Sequence, residues 1–328
     1  MVSVLLLSVD GGTVSLMSAH LKVIPAIVVL LFSTFAFAAP QEVVVVKSDW
    51  TPPAARTSKT VFAPKPLGGD NIFKGEAEVW LADSIELFEG GEWLKPLHNP
   101  AISEYVTRVG NYVAAHSVAP AKHYEFIVTD VMTADAMTAG GGRIYISRGM
   151  LEEIQNEDEL AGVLAHEIAH DAFAHAGKAV TRQMFWLTGT RKVKTANDVK
   201  MALNNLLLEY EKKPLATIAE VVLGFSRFDE LEADRAAFYN TYKAGYNPRG
   251  LMGPLMRMLK QEKDEWKDDY LAVELLTLLF GSHPPTEQRS LAFAWESNFV
   301  KMPKKDSHYA SPAFDEMKSR LAAMSKKS

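Results

Sequence analysis

The sequence predicts an α+β protein that is mainly helical, with a small sheet whose edge strand flanks one long helix. Apolar residues recur at helical spacing after Asn156, which predicts an amphipathic helix packed on a core. A β-prone run at 143–147 follows three glycines and predicts a half-buried strand. The chain has 328 residues, 48% of them hydrophobic, and no internal repeat. We therefore expect one main domain with a full core.

The chain divides into four expected segments. Residues 1–38 have the layout of a cleavable secretory signal, with an apolar run at 23–35 followed by small residues. Residues 39–75 include five prolines and predict a linker or extended arm. Residues 76–293 form the main domain, and 294–328 a C-terminal helical extension and tail.

Composition indicates where the protein works and what it does not bind. The signal predicts a periplasmic or secreted protein, and the alternative is an inner-membrane anchor formed by an uncleaved N-terminal segment. Translation starts at either Met1 or Met17. The chain contains no cysteine, which excludes disulfides and thiolate ligands. Its formal net charge of −5 provides no basic surface for nucleic acid.

The motif that carries chemistry is His166-Glu167-Ile168-Ala169-His170. Positions i and i+4 of a helix lie on one face, so the two imidazoles point at a common centre. Such a pair suits Zn²⁺, which binds imidazole nitrogen at about 2.0–2.1 Å in tetrahedral geometry. Glu167 would then lie beside the ion and accept a proton from the attacking water. The alternative is an ordinary helix whose histidines cap a core or face solvent.

The local sequence favours the helix that this motif needs. Asn156 and Glu159 have the spacing of an N-cap residue and its capping-box partner. His175 follows His170 by five residues. This spacing turns it about 140° around the helix, away from the metal, as a surface or outer-sphere histidine.

A catalytic zinc site needs a third protein ligand, and the best candidate lies further along the chain. Glu230 and Asp234 are one helical turn apart, and two like charges at this spacing disfavour a helix by about 0.2–0.5 kcal/mol. Metal binding by Glu230, with Asp234 orienting a ligand imidazole, would reverse that penalty. The alternative is a solvated acidic face neutralised by Arg227 and Arg235.

Taken together, four segments resemble the CAAX-prenyl-protease and HtpX type of zinc endopeptidases, a membrane-associated or periplasmic branch of the gluzincins. In chain order they are TAGGGRIYISRGML at 138–151, ELAGVLAHEIAH at 159–170, SRFDELEAD at 226–234 and HPPTEQR at 283–289. They span about half of the chain, and their combination is far more specific than any one of them.

The resemblance implies a zincin-like metallopeptidase fold with one Zn²⁺ per chain. It implies that His166, His170 and Glu230 are the zinc ligands and Glu167 the general base. It also implies that His283 and Arg289 lie near the active site and help to hold substrate or the developing oxyanion. A His-Pro-Pro turn that forms only a rigid loop is the alternative for His283.

The glycine-rich segment is expected to bind substrate. If the strand at 143–147 is an edge strand beside the zinc helix, its backbone can pair with an extended polypeptide. The residues expected to do so are Gly141, Gly142, Arg143, Ile144 and Tyr145. A strand that only completes the sheet is the alternative. The segment begins with Asp135-Ala136-Met137, where the family often has Asn-Ala and a hydrophobic residue, and this departure leaves substrate preference open.

The function predicted from these residues is a zinc-dependent endopeptidase that cleaves envelope or misfolded proteins. Its partner is a polypeptide substrate, with membrane proximity as an open alternative and no prediction of oligomeric state. A second hypothesis is a latent zinc-containing binding or chaperone-like protein that seldom cleaves. A third is an inert structural helical protein without stoichiometric metal.

Overall fold

The computed structural model describes residues 50–57, 62–88, 94–211, 225–265, 287–305, 307–309 and 311–325. The predicted signal at 1–38 and His283 lie outside these residues. Within the described part of the chain, no helix is both long enough and apolar enough to cross a membrane.

The described residues form a mainly helical structure with one small sheet, which confirms the predicted α+β class. The helices are α1 (Glu76–Phe88), α2 (Pro100–Ala115), α3 (Arg148–Glu153), α4 (Glu157–Ala172), α5 (His175–Leu187), α6 (Ala196–Glu211), α7 (Arg227–Lys243), α8 (Met252–Glu265), α9 (Glu287–Ser297) and α10 (Pro312–Ser325). The strands are β1 (Glu125–Thr129), β2 (Ala136–Gly140) and β3 (Arg143–Ser147), and a 3₁₀ turn covers Pro248–Leu251.

The sheet has the strand order β1-β3-β2. β3 pairs in parallel with β1 and antiparallel with β2, and the register with β2 shifts between Thr138 and Gly140. The expectation that 143–147 is an edge strand is therefore wrong, because this strand has a hydrogen-bonded neighbour on each side. The edge strand that packs beside the predicted zinc helix is β2.

Helix α4 is the centre of the fold. Every residue from 157 to 171 is buried, and the helix packs against α7, the 3₁₀ turn, β2 and α2. Its apolar residues Leu160, Leu164 and Ile168 belong to the main hydrophobic core. Because packing surrounds the whole helix, its buried polar side chains need partners inside the protein.

The 3₁₀ turn packs on α4 through glycine. A Cβ on Gly162 would lie 2.4 Å from the backbone nitrogen of Leu251, closer than real Cβ contacts come. A Cβ on Gly250 would lie 2.0 Å from the carbonyl oxygen of Asp158. These two glycines allow the turn and the helix to meet backbone to backbone.

We expect Gly162→Ala to destabilise the protein. Overpacking of a close contact typically costs about 1–3 kcal/mol, which exceeds the helix propensity gained from alanine. The free energy of unfolding, measured by denaturant titration, should fall by that amount. Gly68→Ala is the control, since a Cβ there meets nothing within 4 Å. Equal stability of the two variants would contradict the close packing.

Residues 50–57 and 62–75, which we call the arm, contain neither helix nor strand and run along the folded domain. The Trp50 indole donates to Glu157 Oε1 at 2.8 Å, and Arg56 Nη1 donates to the Tyr246 carbonyl at 2.6 Å. Further along, the Ile72 N–H donates to Thr181 Oγ1 at 3.1 Å. The arm is thus hydrogen-bonded to helix α4, to helix α5 and to the segment that follows α7.

The C-terminal helix α10 packs against α2 and α3. Its buried residues Phe314, Met317 and Leu321 belong to the same core as α4. The core therefore extends beyond residue 293, where the sequence suggested that the main domain ends.

Candidate active site and metal centre

Helix α4 begins at the predicted cap. Asn156 Oδ1 accepts the Glu159 N–H at 3.0 Å, which confirms the N-cap. The Glu159 carboxylate reaches one residue further than predicted and accepts the Gln155 N–H at 2.8 Å. It also forms an ion pair with Arg257 of α8. The cap fixes the start of the helix and thereby the direction of the histidines about three and four turns later.

Helix α7 has a complete capping box. The Ser226 hydroxyl accepts the Asp229 N–H at 3.2 Å, and the Asp229 carboxylate accepts the Ser226 N–H at 2.9 Å. Glu230 is the next residue, so it lies in the first turn, with Asp234 one turn later on the same side. Both residues are buried.

The two helices bring three ligand atoms together. The Nε2 atoms of His166 and His170 lie 3.0 Å apart. Glu230 Oε2 is 3.4 Å from His166 Nε2, and Glu230 Oε1 is 3.3 Å from His170 Nε2. All three side chains are at most 3% exposed.

This donor set fits a divalent metal ion. Ligand atoms bonded at about 2.0–2.1 Å to a tetrahedral ion lie about 3.4 Å apart, close to the separations found here. The local charge also favours a cation. Glu167, Glu230 and Asp234 are three carboxylates, and Arg289 is the only guanidinium that the described residues place among them. A divalent cation would balance the excess of negative charge.

Asp234 and Arg289 contact the candidate metal ligands. Asp234 Oδ1 lies 3.0 Å from His166 Nδ1, so the carboxylate can fix the ring with Nε2 directed at the metal position. Arg289 binds both oxygens of Asp234 at 2.6 Å and lies 3.1 Å from Glu230 Oε2. Although burial alone would raise the pKa of Asp234, the charge of Arg289 outweighs it and lowers that pKa.

The two histidines differ in their affinity for a proton. Burial lowers the pKa of His170 well below its ordinary value. Burial acts in the same direction on His166, but hydrogen bonds to Asp234 and Glu230 outweigh it and raise the pKa of His166 above 6.5. In the metal-free protein, His166 is therefore the ligand that takes up a proton first as the pH falls.

As the pH is lowered, we expect metal affinity to begin to fall at a higher pH than it would with a histidine of ordinary pKa. The raised pKa of His166 lets protons compete with the metal from above pH 6.5 downwards. Below that pKa, affinity should drop about tenfold per pH unit for the one proton displaced. Competition titration with a chelator over this pH range measures it. A metal affinity that stays constant from about pH 8 to about pH 5 would contradict proton competition at His166.

Glu167 lies at a cleft beside the metal position. The cleft has a volume of about 50 Å³, and Glu167, His166 and Arg289 form its polar side. The apolar walls are Ala136, Met150, Val163, Leu251, Pro254 and Leu255, and Asp135 also lines the cleft. Arg289 borders the cleft, and its contact with substrate or oxyanion stays a prediction. Its contacts with Asp234 and Glu230 indicate that it positions these two side chains.

The glycine-rich turn is held by residues that the sequence did not single out. Asp171 Oδ1 accepts the Gly142 N–H at 2.9 Å, and Asp171 Oδ2 lies 2.6 Å from Lys122 Nζ. Lys122 also pairs with Glu78, whose carboxylate accepts the Gly141 N–H at 3.3 Å. The sequence could have indicated Asp171, because this residue directly follows the second histidine of the motif.

The expected substrate-binding role of Gly141, Gly142, Arg143, Ile144 and Tyr145 does not fit these contacts. The two glycine N–H groups are bound to carboxylates, and the backbone at 143–145 pairs with strands on both sides. The Arg143 side chain pairs with Asp83 and Glu86, and the Tyr145 hydroxyl contacts Glu86. The strand β3 therefore pairs with the edge strand β2 and has no free edge of its own for substrate.

His175 is an outer-sphere histidine, one of the two expected alternatives, but it is buried and does not continue helix α4. Helix α4 ends at Ala172, and Ala174 adopts a left-handed conformation with φ of 53°. Such a conformation costs an L-residue about 1–2 kcal/mol. It turns the chain so that His175 starts α5 fully buried, with its Nδ1 2.9 Å from His170 Nδ1.

The fold and the site together define a metallopeptidase in which a His-Glu-x-x-His helix and a glutamate from a later helix bring together a group that could hold a metal ion. The profile of Peptidase family M48 matches residues 100–293, more than half of the chain. The chain belongs to this family.

Curated relatives match about half of the chain. The beta-barrel assembly-enhancing protease of Yersinia pestis is 23% identical over 172 residues, covering 51% of this chain and 35% of that protein. The metalloprotease YcaL of Escherichia coli (strain K12) is 26% identical over 170 residues, covering 51% and 59%. The mitochondrial metalloendopeptidase OMA1 of Schizosaccharomyces pombe is 29% identical over 162 residues, covering 49% and 44%. The chain therefore spans about a third to three-fifths of the length of these relatives.

Proposed function

We propose that this protein is a zinc-dependent endopeptidase of zincin-like fold that cleaves envelope or misfolded proteins. The observation that carries the proposal is the convergence of His166, His170 and Glu230 within 4.8 Å, beside a cleft that Glu167 lines. Membership of a metallopeptidase family supports the same reaction.

Zinc is the metal that the ligand set favours, with one ion per chain. Two imidazoles and one carboxylate, with a fourth position left for water, are a common ligand set of catalytic zinc. When bound, Zn²⁺ supplies a Lewis acid that polarises the scissile carbonyl and makes the attacking water more acidic.

The protein's own residues carry the proton transfers. The carboxylate of Glu167 accepts a proton from the attacking water and then donates it to the nitrogen of the leaving amine. Asp234 keeps His166 in the tautomer whose Nε2 faces the metal position. Arg289 lowers the pKa of Asp234 and so keeps it charged, and it also contacts Glu230. The roles of His166, His170 and Glu230 as ligands and of Asp234 as their support are part of this proposal.

Substrate is proposed to enter along β2 instead of β3. β2 is the edge strand of the described sheet that packs beside α4. Ala136 at its start and Asp135 just before it line the cleft beside Glu167. The residues of β2 are buried, so an extended peptide gains access at the cleft end. The apolar walls of the cleft favour a substrate with an apolar side chain next to the scissile bond.

The proposed location is the periplasm or the extracellular space, because the N-terminal sequence has the layout of a cleavable signal. One relative is named as a protease that enhances beta-barrel assembly, which supports an envelope protein as the substrate class.

The test is zinc-dependent digestion of an unfolded protein such as casein by the purified protein. We expect cleavage that a chelator abolishes and added Zn²⁺ restores. Stoichiometric zinc without cleavage would favour the latent binding or chaperone-like alternative. Protein without stoichiometric metal would contradict both.

A further inference from the structure

A second histidine contacts the metal ligand His170. His175 is fully buried, and its Nδ1 lies 2.9 Å from His170 Nδ1. Its other nitrogen, Nε2, lies 3.0 Å from Glu232 Oε2. His175 therefore bridges a metal ligand on α4 and a carboxylate on α7.

The bridge continues to the arm. Glu232 Oε1 accepts the backbone N–H of Leu67, and the Leu67 carbonyl accepts a hydrogen bond from Lys178 Nζ at 3.1 Å. Both backbone groups of Leu67 are thus bound to the helices that carry His175 and Glu232, while its side chain is 59% exposed. The contact of the arm at this point is made by its backbone.

The protons in this chain of contacts follow from the metal site. With Nε2 of His170 directed at His166 and Glu230, the proton of the neutral ring lies on Nδ1 and is donated to Nδ1 of His175. The proton of His175 then lies on Nε2 and is donated to the Glu232 carboxylate. Each donor in this arrangement meets one acceptor.

We propose that His175, Glu232 and the Leu67 peptide form a relay that orients His170, so that the arm contributes to metal affinity. This inference rests on the metal site proposed above. A ligand imidazole held through its second nitrogen binds metal more tightly, because its ring orientation and tautomer are fixed in advance. Asp234 does this for His166, and the relay does it for His170.

A second metal ion at His175 is the competing interpretation, since His175, Asp229 and Glu232 also lie within 4.8 Å of one another. Asp229 Oδ2 is already bound by the backbone and hydroxyl of Ser226 and by Arg182 Nη2 at 2.8 Å, and only Oδ1 faces His175. The nitrogen of His175 that faces Glu232 is 4.0 Å from Asp229. The two contacts of His175, with His170 and with Glu232, are at hydrogen-bond distance and need no additional ion.

His175→Leu and His175→Asn test the relay. Leucine removes the acceptor for His170, whereas asparagine keeps an acceptor oxygen near the position of Nδ1. Zinc affinity is measured by competition with a chromophoric chelator, and the visible spectrum of the Co²⁺-loaded protein reports the ligand geometry. We expect His175→Leu to lower zinc affinity by about 10–100-fold and to change the Co²⁺ spectrum. His175→Asn should stay closer to the parent in both.

Leu67→Pro and Leu67→Ala test the arm. Proline removes the N–H that Glu232 accepts, and alanine keeps it while shortening an exposed side chain. We expect Leu67→Pro to bind zinc about 2- to 10-fold more weakly than the parent and Leu67→Ala to bind it equally well. This pair decides the proposal even if His175→Leu does not fold.

The outcomes separate this inference from the proposed function. A parent protein that binds no zinc would overturn both. A parent that binds one zinc, together with His175→Leu, His175→Asn and Leu67→Pro variants of unchanged affinity and Co²⁺ spectrum, would overturn the relay alone. Binding of a second zinc ion that His175→Leu abolishes would replace the relay with a second metal site.

Discussion

Glu167→Gln is expected to lower kcat for peptide hydrolysis by about 10²–10⁴-fold, the usual contribution of a general base. Glutamine keeps the shape of the side chain but cannot accept the proton of the attacking water. The metal ligands are unchanged, so the variant should keep one zinc per chain and the stability of the parent. Casein digestion and metal analysis on the same preparation measure both quantities.

A matched control for this variant is Glu316→Gln, which changes an exposed carboxylate paired with Arg320 on α10. It should cleave at the rate of the parent. If Glu167→Gln also cleaves at that rate, Glu167 is not the base, and the proposed proton transfers are wrong.

Arg289→Met is expected to destabilise the metal-free protein by about 3–5 kcal/mol, the cost of leaving a buried charge unpaired. Arg289 is 2% exposed and contacts both Asp234 and Glu230, so its removal leaves two buried carboxylates without their cation. The free energy of unfolding, measured by denaturant titration in the presence of chelator, tests this.

The control is Arg235→Met, which breaks the pair between Arg235 and Glu296 at the surface. The Arg235 side chain is 54% exposed, and pairs of this kind contribute about 0–1 kcal/mol. Similar losses in the two variants would contradict the supporting role of Arg289. We also expect Arg289→Met to regain part of its stability when zinc is added, because the metal offsets the charge of Glu230.

The sequence predicted the parts of the site that depend on local geometry. The spacing of His166 and His170 requires only one turn of helix, and the cap at Asn156 requires only three residues. The third ligand is different. Glu230 is separated from His170 by 59 intervening residues, and no rule of spacing joins them. The resemblance to a family supplied that link, and the structure brings the side chains together.

The failed predictions depended on contacts between distant segments or on an unusual backbone. The alternation at 143–147 identifies a strand, but it does not say how many neighbours the strand has. β1 pairs directly with β3, although β2 lies between them in the sequence. The burial of His175 was not predicted, because Ala174 adopts a left-handed conformation that glycine usually marks. The expected C-terminal helix is present as α10, but nothing local reveals that its Phe314 enters the main core.

The zinc-edge X-ray absorption spectrum of the purified protein tests the metal centre most directly. The account predicts one zinc per chain with nitrogen and oxygen neighbours at about 2.0–2.1 Å, including the scattering of two imidazole rings. The Glu230→Ala variant should lose an oxygen neighbour or lose the metal. A spectrum without imidazole scattering, or one that Glu230→Ala leaves unchanged, would contradict the convergence of His166, His170 and Glu230 on a single ion.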